Sequence, residues 1–223
     1  MDIQNELKKI DVKFLINRAI NLLKSPQTTL EEIKSESYTT KELLVGVFLL
    51  PYAIVVVCNF INTYIWTRAA SKVSNNLLQY TDKLKDMGIP LDLPQQASFD
   101  IGYVVKVAIV NAIVIFLSVY IFSYVTNFVS KLDYFKTEIS QTNAFKLIVF
   151  LFLLSAISSI VSIIPILGII VSMVIGIYSL YILYLGIKSF SNSDKAIQLT
   201  IACILCTVIV GAVLSLILNA ILV

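Results

Sequence analysis

The sequence predicts an all-α polytopic membrane protein, with five transmembrane helices preceded by N-terminal cytoplasmic amphipathic helices. Three observations carry this expectation. Of 223 residues, 58% are hydrophobic and only 14% charged, whereas soluble domains carry roughly a quarter charged residues. Mean hydropathy is +0.88. The apolar residues are gathered into long uncharged runs, and roughly 20 helical residues cross a bilayer core of about 30 Å.

Residues 1–42 form a polar tail. Its first 14 residues are mixed in charge and lack a short apolar core, so no signal peptide is expected there. Residues 10–24 are amphipathic. At 100° per residue, Val12, Leu15, Ile16, Ala19, Ile20, Leu22 and Leu23 share an arc of about 160°. Asp11, Lys13, Asn17, Arg18, Asn21 and Lys24 fill the other side, with Ile10 and Phe14 intruding. The face carried by Leu15, Ile16, Ala19, Ile20 and Leu23 would lie in the membrane interface, grip a partner, or pack on the ends of the spans. Ser25-Pro26 ends this helix, because proline disfavours helix in the residue before it. Thr28 and Thr29 stand three residues ahead of Glu31 and Glu32, and predict a capped second helix. Thr39 and Glu42 repeat that pattern before the first span.

Residues 43–223 form the membrane domain. The first span is uncharged over 43–67, and the second occupies 101–128 with the single charge Lys106. The uncharged run from Leu147 to Ile187 is 41 residues long, about twice one crossing. Pro165 and Gly168 divide it into spans at 147–164 and 167–187. Their turn, Ile163 to Gly168, has no polar side chain, so the hairpin either crosses fully or stops short of the far surface. The fifth span covers 197–221. Between the first two spans, Val73, Leu77, Tyr80, Leu84 and Met87 predict a separate surface-lying helix. Gly88-Ile89-Pro90 and Leu93-Pro94 predict an extended segment after it.

Lysine and arginine accumulate on the cytoplasmic side of membrane proteins. The tail contributes seven, and the loops before spans three and five add Lys131, Lys136, Lys146, Lys188 and Lys195, giving twelve on one side. The opposite side has four: Arg68, Lys72, Lys83 and Lys85. The N-terminus is therefore expected in the cytoplasm and the C-terminus outside. Tyr64 and Trp66 on the outer side, and Tyr120, Tyr124, Tyr184 and Phe190 on the inner side, have the placing of interfacial aromatic belts.

Polar residues inside spans are functional candidates. Lys106 stands about 8 Å inside the outer edge, within snorkelling reach. Asn59, Asn62 and Asn111 occupy similar depths, and Asn219 lies near the same surface. With Lys106 they line a small outward-open cavity or serve as interhelical hydrogen-bond donors and acceptors. Rows of small residues mark close helix approach. They comprise Gly168, Ser172 and Gly176 in span four, Ser155 with Ser159 and Ser158 with Ser162 in span three, and Cys203, Thr207, Gly211, Ser215 and Asn219 in span five. These pack within the chain or form a dimer interface. Cys203 and Cys206 have a redox or metal spacing, but sit in an apolar span without further ligands, so packing is expected.

Chemistry of the usual kinds is not visible. The chain has no histidine, no nucleophile elbow, no phosphate-binding loop and no intramembrane carboxylate pair. An enzyme, a cofactor and a metal are not expected. A net charge of +3 of mixed distribution gives no footprint for nucleic acid.

Two stretches carry a resemblance. Leu22-Leu-Lys-Ser-Pro-Gln-Thr-Thr-Leu-Glu-Glu-Ile33 resembles the "LLxSPxxTWxxI" opening of the prokaryotic branch of the Yip (Ypt-interacting protein) family, with Leu30 at the position of the Trp. Ala144-Phe-Lys-Leu147, the hairpin at Pro165, and Gly176-Ile-Tyr-Ser-Leu-Tyr-Ile-Leu-Tyr-Leu-Gly186 resemble the family's third and fourth spans. The resemblance implies five spans with a cytoplasmic N-terminus. Eukaryotic members act in vesicle traffic and bind Rab-type GTPases and each other. The tail here is about 40 residues and lacks their acidic-aromatic-Gly-Pro segment, which implies a prokaryotic plasma-membrane member. The expected function is a non-enzymatic scaffold or adaptor. Its partners would be the lipid bilayer and a second copy or another membrane protein. The alternative is permeation of a small solute or ion through the Asn59, Asn62, Lys106 and Asn111 cluster.

Overall fold

The computed structural model describes residues 11–86, 99–135 and 137–222, with the backbone alone for 79, 81–86, 165, 215 and 217–222. Ile10, Met87, the extended segment expected at Gly88–Pro94, and the side chains of Leu84, Ser215 and Asn219 lie outside the described residues. The described residues contain helices and no strand.

Two short helices form the tail, α1 (Val12–Lys24) and α2 (Pro26–Ser35). Asp11 caps α1 by accepting the Phe14 N–H at 2.7 Å, and α1 stops at Lys24 before Ser25-Pro26 as the sequence predicts. The second helix begins earlier than expected. Pro26 takes its first turn, where a missing N–H is harmless, so Thr28 and Thr29 are interior residues and not caps. The Thr29 hydroxyl instead donates back to the Ser25 carbonyl at 2.9 Å.

The first span is one continuous rod built from α3 (Thr40–Glu42), a π-helical segment (Leu43–Phe48) and α4 (Leu49–Asp86). Thr39 and Glu42 form the predicted capping box, with Glu42 N–H to Thr39 Oγ1 at 3.2 Å and Thr39 N–H to Glu42 Oε2 at 2.7 Å. The π-helical segment has a cause in Pro51. Proline donates no bond to the carbonyl four residues back and crowds it, and the turns ahead widen, with Leu49 N–H reaching Leu44 O. The rod then runs 38 residues, about 57 Å. The separate surface helix expected after Thr67 is thus the continuation of the first span. No glycine or proline stands between Pro51 and Gly88 to break it.

Two further spans and the α6–α7 hairpin complete the bundle: α5 (Ile101–Ser130), α6 (Gln141–Val161), α7 (Pro165–Ser191) and α8 (Ala196–Leu222). All five long helices are apolar and long enough to cross a membrane. The protein is an integral multi-pass membrane protein. Its central element is α6, which packs on α4, α5 and α7 while α8 fits against α5 and α7. In its most apolar stretch 56% of α6 is buried, against 17% for α5, α7 and α8, so α6 meets protein where the others meet lipid.

The buried core lies at the tail end of the bundle. Phe48, Tyr52, Phe116, Tyr120 and Phe145 form a chain of rings with centroids 5.1–5.8 Å apart. Tyr120 and Phe190 therefore belong to the core and not to an aromatic belt, while Tyr124 is exposed. The loop after α5 is strapped down: Asn127 donates to the Ile139 carbonyl at 2.7 Å and Gln141 to Ser123 Oγ at 2.8 Å.

Candidate functional site

The tail is docked on the bundle by a charged clasp. Arg18 on α1 is largely buried and pairs with Glu32 at 2.5 Å and with Glu36, tying α1 to α2. Its guanidinium also lies over the Phe14 ring at 5.3 Å. Lys146 on α6 is only 4% exposed. Its ammonium donates to the carbonyls of Lys34 at 3.1 Å and Glu36 at 2.7 Å, capping the end of α2 where helix carbonyls lack partners. Lys34 in turn donates to the Ser189 carbonyl at 2.5 Å, at the end of α7. Tyr38 donates to Glu36 Oε2 at 2.5 Å, and its ring stands 5.8 Å from that of Phe150. Burial, then the Glu36 carboxylate, push the Tyr38 phenol above its ordinary range.

This docking divides the α1 arc in two. Leu15, Ala19 and Leu22 are buried against the bundle. Val12 (57% exposed), Ile16 (54%), Ile20 (38%) and Leu23 (36%) face outward. On the helical wheel the buried residues span about 60° and the outward ones the adjoining 80° or so, edged by Lys13 and Lys24. Of the face expected from sequence, Leu15 and Ala19 thus serve docking, while Ile16, Ile20 and Leu23 remain open. The Tyr178 hydroxyl donates to the Leu23 carbonyl at 2.9 Å, which sets the end of α1 level with Tyr178. There the exposed apolar band of α7 ends: Ile166 through Tyr181 include the exposed members, while Ile182, Leu183 and Ile187 are buried.

At the other end of the bundle the structure brings three of the span asparagines together, without the lysine. Asn59, Asn62, Thr63, Trp66, Thr67 and Asn111 line a cleft of ≈ 500 Å³ between α4 and α5, with Val114 and Ile115. Lys106 is exposed and is not among its lining residues. Asn62 donates to Ser162 Oγ at 2.7 Å and so holds the α6–α7 turn. The turn therefore sits level with Asn62, two residues or about 3 Å along α4 from Tyr64, whose ring meets Phe99 at 5.5 Å.

A family model described as Yip1 domain matches residues 20–217. The chain belongs to the Yip1 domain family. The matched stretch takes in α2, Lys146, α4 to α7 and most of α8, so Lys146 and its carbonyl partners at the end of α2 lie within it. Comparison with curated proteins and with solved structures gave no match.

The small-residue rows of this Yip1 domain divide by position. A Cβ on Gly168 would meet the Ser162 backbone at 2.5 Å, so only glycine lets α7 start this close to the end of α6. Ser158 donates to Ser172 at 3.0 Å across the same hairpin, and the Thr207 hydroxyl bonds back to Cys203 O at 2.7 Å within α8. Gly176 and Gly211 have nothing within 4 Å of their Cβ positions. They pack against no described part of the chain. Two residues escaped the sequence reading. Lys146 sits at the start of an apolar run, where it reads as a loop cation, and nothing in its spacing announces two carbonyl partners. Gly186 lies under Leu147, whose Cδ1 would be 2.3 Å from a Cβ there, and its presence in the family-like stretch was the available signal.

Proposed function

We propose that this Yip1-domain protein is a non-enzymatic membrane scaffold whose docked tail holds α1 in the interface as a lipid-facing element. The observation that carries the reading is the divided arc of α1. One half anchors on the bundle, while the other half (Val12, Ile16, Ile20 and Leu23) continues the apolar band of α7 at the level of Tyr178. Lysines at the edge of such a stripe favour an anionic leaflet. The lysine and arginine excess supports a cytoplasmic placing of this end, and the short tail fits a prokaryotic inner-membrane member. Partners would be recruited along the outer face of the clasp or the open small-residue faces.

The test uses full-length protein in vesicles, with the three cysteines replaced and a fluorophore on Ile20→Cys. Quenching by lipid-borne nitroxides placed near the headgroups is expected, with Ile16→Asp reducing it. Quenching by aqueous iodide alone would falsify the interface placement. In-membrane cross-linking from Gly176 or Gly211 positions then asks for a stoichiometric partner, and recovery of the monomer alone counts against the scaffold.

A second reading, permeation of a small solute, is favoured by the cleft holding Asn59, Asn62 and Asn111. Water-borne thiol reagents should then reach Cys at Asn59 and Asn111 from the outer side only, with solute flux in liposomes.

A further inference from the structure

We propose that the cleft between α4 and α5 binds an uncharged polyhydroxyl group, carried either by the headgroup of a membrane glycolipid or by a free sugar or polyol. The lining supports this by its chemistry. It holds three asparagines, two threonines and a tryptophan, with Val114 and Ile115, and no charged side chain. Without a countercharge the cleft offers an ion no charge pairing. Amides and hydroxyls both donate and accept, which matches the dual character of an alcohol. The Trp66 indole, half exposed at the rim, offers an apolar face for the C–H side of a sugar and an N–H for its oxygens.

The inventory of bonds leaves room for a ligand. Asn62 is committed to Ser162 and the Thr63 hydroxyl to the Asn59 carbonyl. Among the described residues the side-chain amides of Asn59 and Asn111 make no hydrogen bond, although both residues are half-buried. They stand within apolar spans, where polar groups seek partners. From Thr67 to Asn59 the cleft descends eight residues, about 12 Å, deep enough to take a headgroup below the Tyr64–Phe99 level. Its volume of ≈ 500 Å³ falls in the range of about 300–1,000 Å³ usual for ligand sites. An occupied cleft need not conduct and need not recruit, so this goes beyond both readings above.

Trp66 is the only tryptophan in the chain, so intrinsic fluorescence reports directly on the cleft. Full-length protein, purified in a sugar-free zwitterionic detergent, is placed in phosphatidylcholine nanodiscs. One arm raises the content of glucosyl diacylglycerol; the other titrates free glucose and glycerol in the buffer. A saturable change in Trp66 emission is expected in one arm, the lipid arm identifying a headgroup and the buffer arm a soluble polyol. Asn59→Leu with Asn111→Leu should weaken half-saturation tenfold or more while the circular dichroism melt is kept. Val114→Phe, which fills the cleft and leaves the amides in place, should weaken it likewise. The idea is overturned by no saturable response in either arm, by an equal response to phosphatidylserine, or by folded variants that bind as the native protein does.

Discussion

Replacing Lys146 by methionine keeps the length of the side chain and removes its charge. The ammonium holds two carbonyls, those of Lys34 and Glu36, at 3.1 and 2.7 Å from a site only 4% exposed. Hydrogen bonds to a charged donor contribute about 1.5–3 kcal/mol each, so the gross loss is about 3–6 kcal/mol. Part is returned, because burying an ammonium beside the Phe190 ring carries a desolvation cost of its own. A net weakening of tail docking by about 2–3 kcal/mol follows. At about 1.4 kcal/mol per factor of ten, the undocked tail becomes roughly 30 to 150 times more populated. Hydrogen exchange in nanodiscs measures this directly: the amides of α2 from Thr29 onward should lose protection by that ratio while α8 is unchanged. Unchanged protection of α2 would refute the assignment of Lys146 as its cap. A loss spread evenly through α8 would do the same, since that means a general unfolding.

Other outcomes follow from the same geometry. Gly168→Ala places a methyl group 2.5 Å from the Ser162 backbone and should lower stability by about 1–3 kcal/mol. Gly176→Ala and Gly211→Ala should be neutral or stabilising in the same thermal melts. The docked tail holds the Tyr38 proton more tightly than the undocked chain, whose phenol titrates near 10.0. The contribution of Tyr38 to docking is thus complete below about pH 10 and declines as pH rises beyond it. A spin label on Thr28→Cys should report that release, and Tyr38→Phe should remove this component. Asn62→Leu gives up the bond to Ser162 and should cost about 0.6 kcal/mol, read as faster exchange in the α6–α7 turn and not at the tail.

The five spans, the split at Pro165, the capping box at Thr39–Glu42 and the end of α1 at Ser25-Pro26 were legible in the sequence, because each rests on neighbours in the chain. Hydropathy, proline geometry and capping act over a few residues, and no distant contact overrides them here. The matching depths of Asn59, Asn62 and Asn111 could be counted along the sequence, since depth along a helix is a count of residues, whereas their facing one another could not. What covers each face was decided by the tertiary structure alone. The arc of α1 is uniformly apolar, yet Leu15 meets the bundle and Ile16 does not. Ile182, Leu183 and Ile187 are as apolar as the exposed residues of the same span, but are buried in the core at the tail end of the bundle. Gly168 is indispensable to a turn, while a Cβ on Gly176, two turns along the same row, would meet no other described part of the chain. Lys146 looks like a loop cation until α2 brings two carbonyls to it. An apolar side chain leaves water equally well for lipid or for protein, so its hydropathy carries no record of which. That choice belongs to the packing of helices far apart in the chain.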